Sequence, residues 1–195
     1  RTKIMNEGWA SYWHETLFLE DERIRGHEVD YARVNAGVTA MPRVGLNPYA
    51  LGMQLFQYIE TAADKGRFSV AFQRLLDTQQ RMRFDTNTGG GQRLIFQVRE
   101  NFSDFLFVNT FLDQDFVTEN KLFVAGRRAN QQKMTWEYYV KSRKAKDYRQ
   151  MIIDSLYHPP FVEIDESRQE EGALYLVHHF EGKPLVKDYL PNTLM

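Results

Sequence analysis

Three side chains near the start of the sequence have the chemistry of a metal-binding or catalytic site. Glu7 lies in the stretch Asn6-Glu7-Gly8-Trp9-Ala10, and His14 and Glu15 follow Trp13. Seven residues span about two helical turns, so Glu7 and His14 project from the same face of a helix. A carboxylate and an imidazole are ligands that zinc uses. We therefore predict Glu7 and His14 as metal ligands, and Glu7, His14 and Glu15 as candidate catalytic residues.

Within this sequence the predicted metal site is incomplete. The stretch resembles zinc hydrolases of the gluzincin type, in which such a glutamate joins two histidines from a separate His-Glu-x-x-His helix. Here His27-Glu28 begins that motif, but Tyr31 stands at the position of the second histidine. In a metal-dependent hydrolase, Glu7 would be a ligand and His14 a ligand or acid–base group. Glu15 would be an outer carboxylate that orients a ligand without binding the metal itself. A packing helix with a hydrogen-bonded polar edge is the simpler interpretation, which we favour.

The helix that must position these residues is the first of several in an α+β fold. We predict a mainly helical segment over residues 1–120 and a small α+β subdomain over residues 121–195, whose antiparallel sheet has the order ββαββ. Asn47, Ser69, Ser103 and Ser142 are predicted to cap helices. The predicted helices cover residues 3–19, 48–65, 69–82, 92–100, 103–112 and 143–156. The predicted strands cover residues 122–124, 135–140, 161–164 and 173–180, and Pro159-Pro160 ends the last helix.

The composition is that of an ordinary globular chain. Of 195 residues, 43% are hydrophobic, the net charge is −1 and there is no cysteine, which excludes disulfides, thiolate metal sites and a cysteine nucleophile. No apolar run is long enough to span a membrane, and no secretory signal is recognisable, so a cytoplasmic location is expected. The chain begins at Arg1 rather than methionine. We expect it to be the C-terminal part of a longer protein, and its first helix to support self-association through an uncovered apolar face.

A basic block between acidic segments gives an alternative function. Residues 121–150 carry a net charge of +7 and contain Trp136, Tyr138 and Tyr139, a mixture that can neutralise phosphates and stack on bases. An adaptor that binds a protein or nucleic acid through this block is therefore a second hypothesis. No nucleic-acid-binding signature accompanies the block, so we consider nucleic acid less favoured than a solvated face packed against the neighbouring acidic segments. The basic residues are Lys121, Arg127, Arg128, Lys133, Lys141, Arg143, Lys144, Lys146 and Arg149.

The remaining polar motifs give weaker signals. His158 precedes two prolines, and His178 and His179 point to opposite faces of a predicted strand, so all three rank below His14. The glycines at 89–91 lack the lysine and hydroxyl of a phosphate loop and are interpreted as a flexible connector. No cofactor-binding residues are predicted beyond the metal ligands.

The first motif also identifies a family resemblance. The residues from Lys3 to His14 closely resemble the stage V sporulation protein R (SpoVR-like) family of bacteria. Further agreement follows in order along most of the chain: Asn47-Pro48-Tyr49-Ala50-Leu51-Gly52, Val98-Arg99 through Asp104, Phe111-Leu112 and Lys121-Leu122-Phe123.

The resemblance implies that this chain is the C-terminal portion of a longer protein. Members carry an upstream helical region with two histidines four residues apart, which would supply partners for Glu7 and His14 around a divalent metal such as zinc. The family is tied to formation of the spore cortex, yet it also occurs in bacteria that do not sporulate. Its genes commonly lie beside those of a serine protein kinase and another accessory protein, which implies a shared stress or stationary-phase pathway. The resemblance supplies no reaction.

Overall fold

The computed structural model describes residues 2–42, 44–130, 134–156, 161–168, 170, 172–179, 186 and 188. Contacts divide the chain into two compact units, residues 1–156 and 157–195. The predicted division of the chain into two domains at residue 120 stays a prediction. The described helices of the first unit are α1 (Lys3–Glu20), α2 (Glu28–Thr39), α3 (Pro48–Asp64), α4 (Val70–Gln73), α5 (Thr78–Arg83), α6 (Gly91–Asn101), α7 (Asp104–Phe111), α8 (Gln114–Glu119) and α9 (Ala145–Ser155).

Four described strands form two separate antiparallel pairs. In the first unit, β1 (Val124–Asn130) pairs with β2 (Thr135–Ser142). In the second unit, β3 (Phe161–Ile164) pairs with β4 (Leu176–His179). The order strand, strand, helix, strand, strand and the α+β class are confirmed. The strands form two separate pairs rather than the single predicted sheet, and the first strand begins at Val124 and extends to Asn130 instead of covering residues 122–124.

Local sequence signals explain where several helices begin. The Asn47 carboxamide accepts hydrogen bonds from the backbone N–H groups of Tyr49 and Ala50 at the start of α3. Ser69 and Ser103 cap α4 and α7 in the same way. These three predicted caps are confirmed. Ser142 is not a cap, because α9 begins at Ala145 and its N-cap is Lys144.

Two helical predictions need correction. The single helix predicted over residues 69–82 is two short helices, because the first ends at Arg74 and Asp77 caps a new one by accepting from the backbone N–H of Gln80. Helix α8 was not predicted, and neither was α2, of which no residue is buried. Without a buried face, the sequence of α2 lacks the apolar periodicity that reveals a helix. The predicted stop at Pro159-Pro160 and the end of the last strand at Phe180 lie outside the described residues.

The core of the first unit forms where α1 crosses α3. Gly8 and Gly52 face each other at the crossing, where a Cβ atom on Gly8 would lie 2.3 Å from the backbone of Gly52. Two glycines therefore let the helix backbones touch. Around this contact lies one apolar cluster whose largest fully buried side chains include Ile4, Met5, Leu51, Leu55, Phe56, Ile59, Ile95, Phe107, Leu112, Phe116 and Ile152. In the described part of the chain, no helix is both long and apolar enough to cross a membrane.

Candidate functional site

The first two turns of α1 gather residues from the stretches that carry the family resemblance. The Asn6 carboxamide oxygen accepts a hydrogen bond from Arg99 of α6 at 2.8 Å. The Asp104 carboxylate, only 3% exposed, accepts from the backbone N–H groups of Ile4 and Met5 at 2.9 Å each. Asp104 therefore caps α1 from a position about a hundred residues along the chain, a contact that sequence spacing does not reveal.

Glu7 lies beside this cap at the crossing of α1 and α3. Its half-buried carboxylate lies near the hydroxyl of Tyr49 in the first turn of α3. Interaction of the phenol with the Glu7 carboxylate, followed by the negative charge of Glu7, raises the pKa of Tyr49. Glu7 thus lies against a neighbouring helix, and Gly8 next to it permits the close approach.

His14 and Glu15 lie further along α1, against α2. The exposed His14 ring meets Tyr31 edge-on with ring centroids 5.5 Å apart, and Tyr31 stacks on Phe18 at 3.9 Å. Glu15 accepts a weak hydrogen bond from Gln57 of α3 at 3.5 Å. The Tyr31 hydroxyl is buried and has no hydrogen-bond partner among the described residues, and burial, followed by the charge of Glu15, raises the pKa of this phenol. The tyrosine at the position of the missing histidine therefore packs directly on His14.

The geometry places Glu7 and His14 in two different neighbourhoods. Seven residues of helix correspond to about 10.5 Å along its axis, whereas two zinc ligands each lie about 2 Å from the ion. Within the described residues, no group of three or more His, Asp or Glu side chains is arranged to hold a metal ion. These residues alone therefore do not fit a zinc centre. The role of Glu7 and His14 as ligands stays a prediction.

Of the three other candidate histidines, one has a described structural partner. His179 pairs with Glu163 of the neighbouring strand, Nε2 to Oε2 at 2.9 Å, and His178 is half-buried. His158 lies outside the described residues.

The glycine stretch 89–91 contacts α3 and does not form an anion-binding site. Gly91 begins α6, and its backbone N–H donates to the Asp64 carboxylate at 2.7 Å. A Cβ atom on Gly91 would lie 2.4 Å from the Glu60 carbonyl oxygen, so glycine is needed for this close contact. The carboxylate already occupies the helix N-terminus where an anion would bind.

The sequence predicted the basic block. It did not predict which of its side chains share one face of the hairpin formed by β1 and β2. Arg127 and Tyr138 are paired across the two strands, and the Arg127 guanidinium lies 5.1 Å from the ring centre of Trp136. Trp136 and Tyr138 are both 59% exposed. Because alternate residues share a face, these three side chains form one exposed surface, which we call the Arg127 face.

The basic block packs on the acidic segment 100–120, as expected for a solvated face. The Arg149 guanidinium donates to the Asn109 carbonyl oxygen at 2.8 Å, and the backbone N–H of Ala145 donates to the Gln114 side chain at 3.0 Å. The contact does not pair opposite charges among the described residues. Within the block, Arg128 pairs with Glu137 of the same hairpin at 3.2 Å. The other described basic residues of the block form no ion pair with described residues of the segments 100–120 or 151–195. Lys133 lies outside the described residues.

Comparison with known proteins agrees with the motifs. The model of the SpoVR like protein family matches residues 1–158. A curated relative, the "Uncharacterized protein YcgB" of Escherichia coli (strain K12), is 29% identical over 140 residues, which cover 63% of this chain and 24% of the relative. The chain thus spans about a quarter of that relative's length. No solved structure matches the chain. Since the family model covers more than three quarters of the sequence, the chain belongs to the SpoVR-like family.

Proposed function

We propose that the chain is a binding module whose β1–β2 hairpin holds single-stranded nucleic acid. The supporting observation is the Arg127 face, where a cation and two exposed aromatic rings lie side by side. Aromatic rings stack on bases and arginine contacts phosphates, and together they bind single strands without strong sequence preference.

The spacing on the strand suits successive bases. Trp136 and Tyr138 are two residues apart on β2, a separation of about 6.8 Å along the strand. An extended single strand can place one base on each ring, while its phosphates run past Arg127 and the other basic side chains. The net charge of +7 over residues 121–150 favours a polyanion over a neutral partner.

Fluorescence anisotropy with a labelled single-stranded oligonucleotide of mixed sequence tests this proposal. We expect binding that weakens steeply as salt increases, and about tenfold weaker affinity for Trp136→Ala or Tyr138→Ala. Phe105→Ala, which removes a half-exposed ring from α7, is the matched control and should bind as the wild type does. Unchanged binding in both hairpin variants would contradict the proposal. Competition by polyglutamate as effective as that by the oligonucleotide would assign the hairpin to an acidic protein partner instead.

We propose that this module serves sporulation or stationary-phase and stress physiology, in the cytoplasm and together with a serine protein kinase and an accessory protein. Membership of the SpoVR-like family supports this role. A deletion strain complemented with the longer protein tests it. The Trp136→Ala/Tyr138→Ala version should fail to restore spore cortex or stationary-phase survival, whereas the Phe105→Ala version should restore it.

A metal-dependent hydrolase, in which the site is completed outside these residues, is the second candidate. It is supported by the half-buried Glu7, which lies near Tyr49 at the α1–α3 crossing. Elemental analysis of the longer protein is the test. We expect one bound zinc per chain that Glu7→Gln or His14→Ala releases, while Glu20→Gln, an exposed change on the same helix, retains it. A wild-type protein without metal, or variants that retain it, would exclude Glu7 and His14 as ligands.

A further inference from the structure

A cavity of the first unit lies at the base of the hairpin. Its volume is about 260 Å³, it is partly open to solvent, and it is lined by the loop after α2, the segment that leads into β1, and one face of α9. The apolar part of its wall consists mainly of Met41, Val44, Leu122, Phe123 and Met151. Small-molecule sites in proteins are typically concave and apolar with a few polar groups, and this cavity has the size of a small ligand.

One of those polar groups is the hydroxyl of Tyr148 on α9. Tyr148 lines the cavity and is 5% exposed, and its hydroxyl forms no hydrogen bond with any described residue. Burial raises the pKa of this phenol, so it stays a hydrogen-bond donor at neutral pH. The residue is buried while its side chain lines the cavity, so a molecule in the cavity can accept a hydrogen bond from the hydroxyl.

The charge at the rim indicates which acceptor fits. Lys121 lines the cavity and is exposed, and it forms no ion pair with described residues. The described lining contains neither Asp nor Glu. An anionic head group would therefore be attracted by one ammonium and repelled by no carboxylate of the wall.

We propose that this cavity binds a small apolar molecule that ends in a carboxylate. The hydrocarbon part lies among the methionine, leucine and phenylalanine side chains, and the carboxylate accepts from the Tyr148 hydroxyl and faces Lys121. This site is separate from the Arg127 face and does not depend on nucleic-acid binding. Its position beneath β1 makes the ligand a neighbour of the hairpin, since Ala125 belongs to both the cavity wall and β1.

Methyl NMR with carbon-13-labelled methionine tests the proposal, with octanoate as the probe and octanol as its uncharged counterpart. Octanoate should shift the methyl signals of Met41 and Met151 in the cavity wall, but neither that of Met5 in the core nor that of the exposed Met134. Octanol should bind more weakly, because it lacks the negative charge.

Two variants separate the polar contacts from packing. Tyr148→Phe keeps the ring and should weaken octanoate binding by about tenfold. Lys121→Gln should weaken octanoate by about threefold and leave octanol unchanged. An unperturbed Met5 signal verifies that each variant is folded. If octanoate caused no shift, or shifted the signals of Met134 and Met151 equally, the proposed site would be wrong. If Tyr148→Phe bound octanoate as tightly as the wild type does, the proposed role of the hydroxyl would be wrong.

Discussion

The side chain of Asp104 in α7 caps the first turn of α1. Thr2, the N-cap residue of α1, makes no side-chain cap, and the two oxygens of Asp104 take over that role for Ile4 and Met5. The buried negative charge is stabilised by the two N–H groups and by the positive end of the helix dipole. The residue is therefore structural, although the N–H groups that it caps belong to Ile4 and Met5, just before Glu7 of the candidate site.

Replacing Asp104 by alanine should lower the free energy of unfolding by about 2 kcal/mol or more, because two buried N–H groups lose their acceptor. Urea denaturation followed by circular dichroism measures the loss. Asp30→Asn removes an exposed carboxylate of α2 and should change stability by less than about 0.5 kcal/mol. Equal stability of Asp104→Ala and wild type would contradict the cap.

Tyr58 gives the fold a specific sensitivity to alkali. Its hydroxyl donates to the Asp113 carboxylate at 2.9 Å, and burial together with the charge of Asp113 raises the pKa of Tyr58 far above the ordinary value of 10.0. In the unfolded chain the phenol ionises above about pH 10, while in the folded chain it stays protonated, so stability falls as pH rises beyond that point.

The measurement is the free energy of unfolding between about pH 8 and pH 11 for the wild type and Tyr58→Phe. The variant should be less stable at pH 8, since Asp113 loses a donor, but its stability should decline less steeply above pH 10, by up to about 1.4 kcal/mol per pH unit. Parallel curves for the two proteins would show that Tyr58 is not the group responsible.

The close crossing of helices α1 and α3 requires glycine at positions 8 and 52. Gly8→Ala should destabilise the protein by about 3 kcal/mol, because the added Cβ would overlap the backbone of Gly52 and the helices must separate. Gly37→Ala in α2 is the matched control, since nothing lies within 4 Å of its added Cβ, and it should stabilise the helix by up to about 1 kcal/mol. Thermal unfolding of both variants checks the opposite signs, and equal shifts would argue against close contact at the crossing.

The elements that the sequence predicts well are those with local signals. Asn47, Ser69 and Ser103 identify helix starts because capping acts over three residues. Helix α2 escapes prediction because it buries no side chain, and the break between α4 and α5 escapes because apolar residues continue through it. There, Arg81 donates to the carbonyl oxygens of Phe72 and Leu75, contacts that only the folded chain defines.

The candidate site was predictable in its residue types but not in its geometry. The spacing of Glu7 and His14 correctly places both on one helix. Their separate surroundings, Tyr49 for the first and Tyr31 for the second, depend on two other helices and could not follow from spacing. The basic block was visible in the sequence, whereas the shared face of Arg127, Trp136 and Tyr138 required the strand register.

For the whole molecule, the boundary between the two units nearly coincides with the end of the family match, at residues 156 and 158. The buried residues of the main apolar cluster lie between Ile4 and Ile152. The partly buried residues that pack against this cluster all precede residue 157. A chain ending at Leu156 should therefore keep a cooperative thermal transition within about 4 °C of the full chain. Loss of cooperativity, or of the helical circular dichroism signal, would contradict independent folding of the first unit.

The remote cap also constrains the order in which the chain can fold during synthesis. Asp104 is translated about a hundred residues after Ile4 and Met5, so the first turn of α1 lacks these two acceptors while α3 and α6 are translated. A nascent chain that ends between α1 and α7 contains every residue of α1 but not its cap. Helix α1 can pack on α3 before that point, whereas the fixing of its first turn is a late event that requires α7.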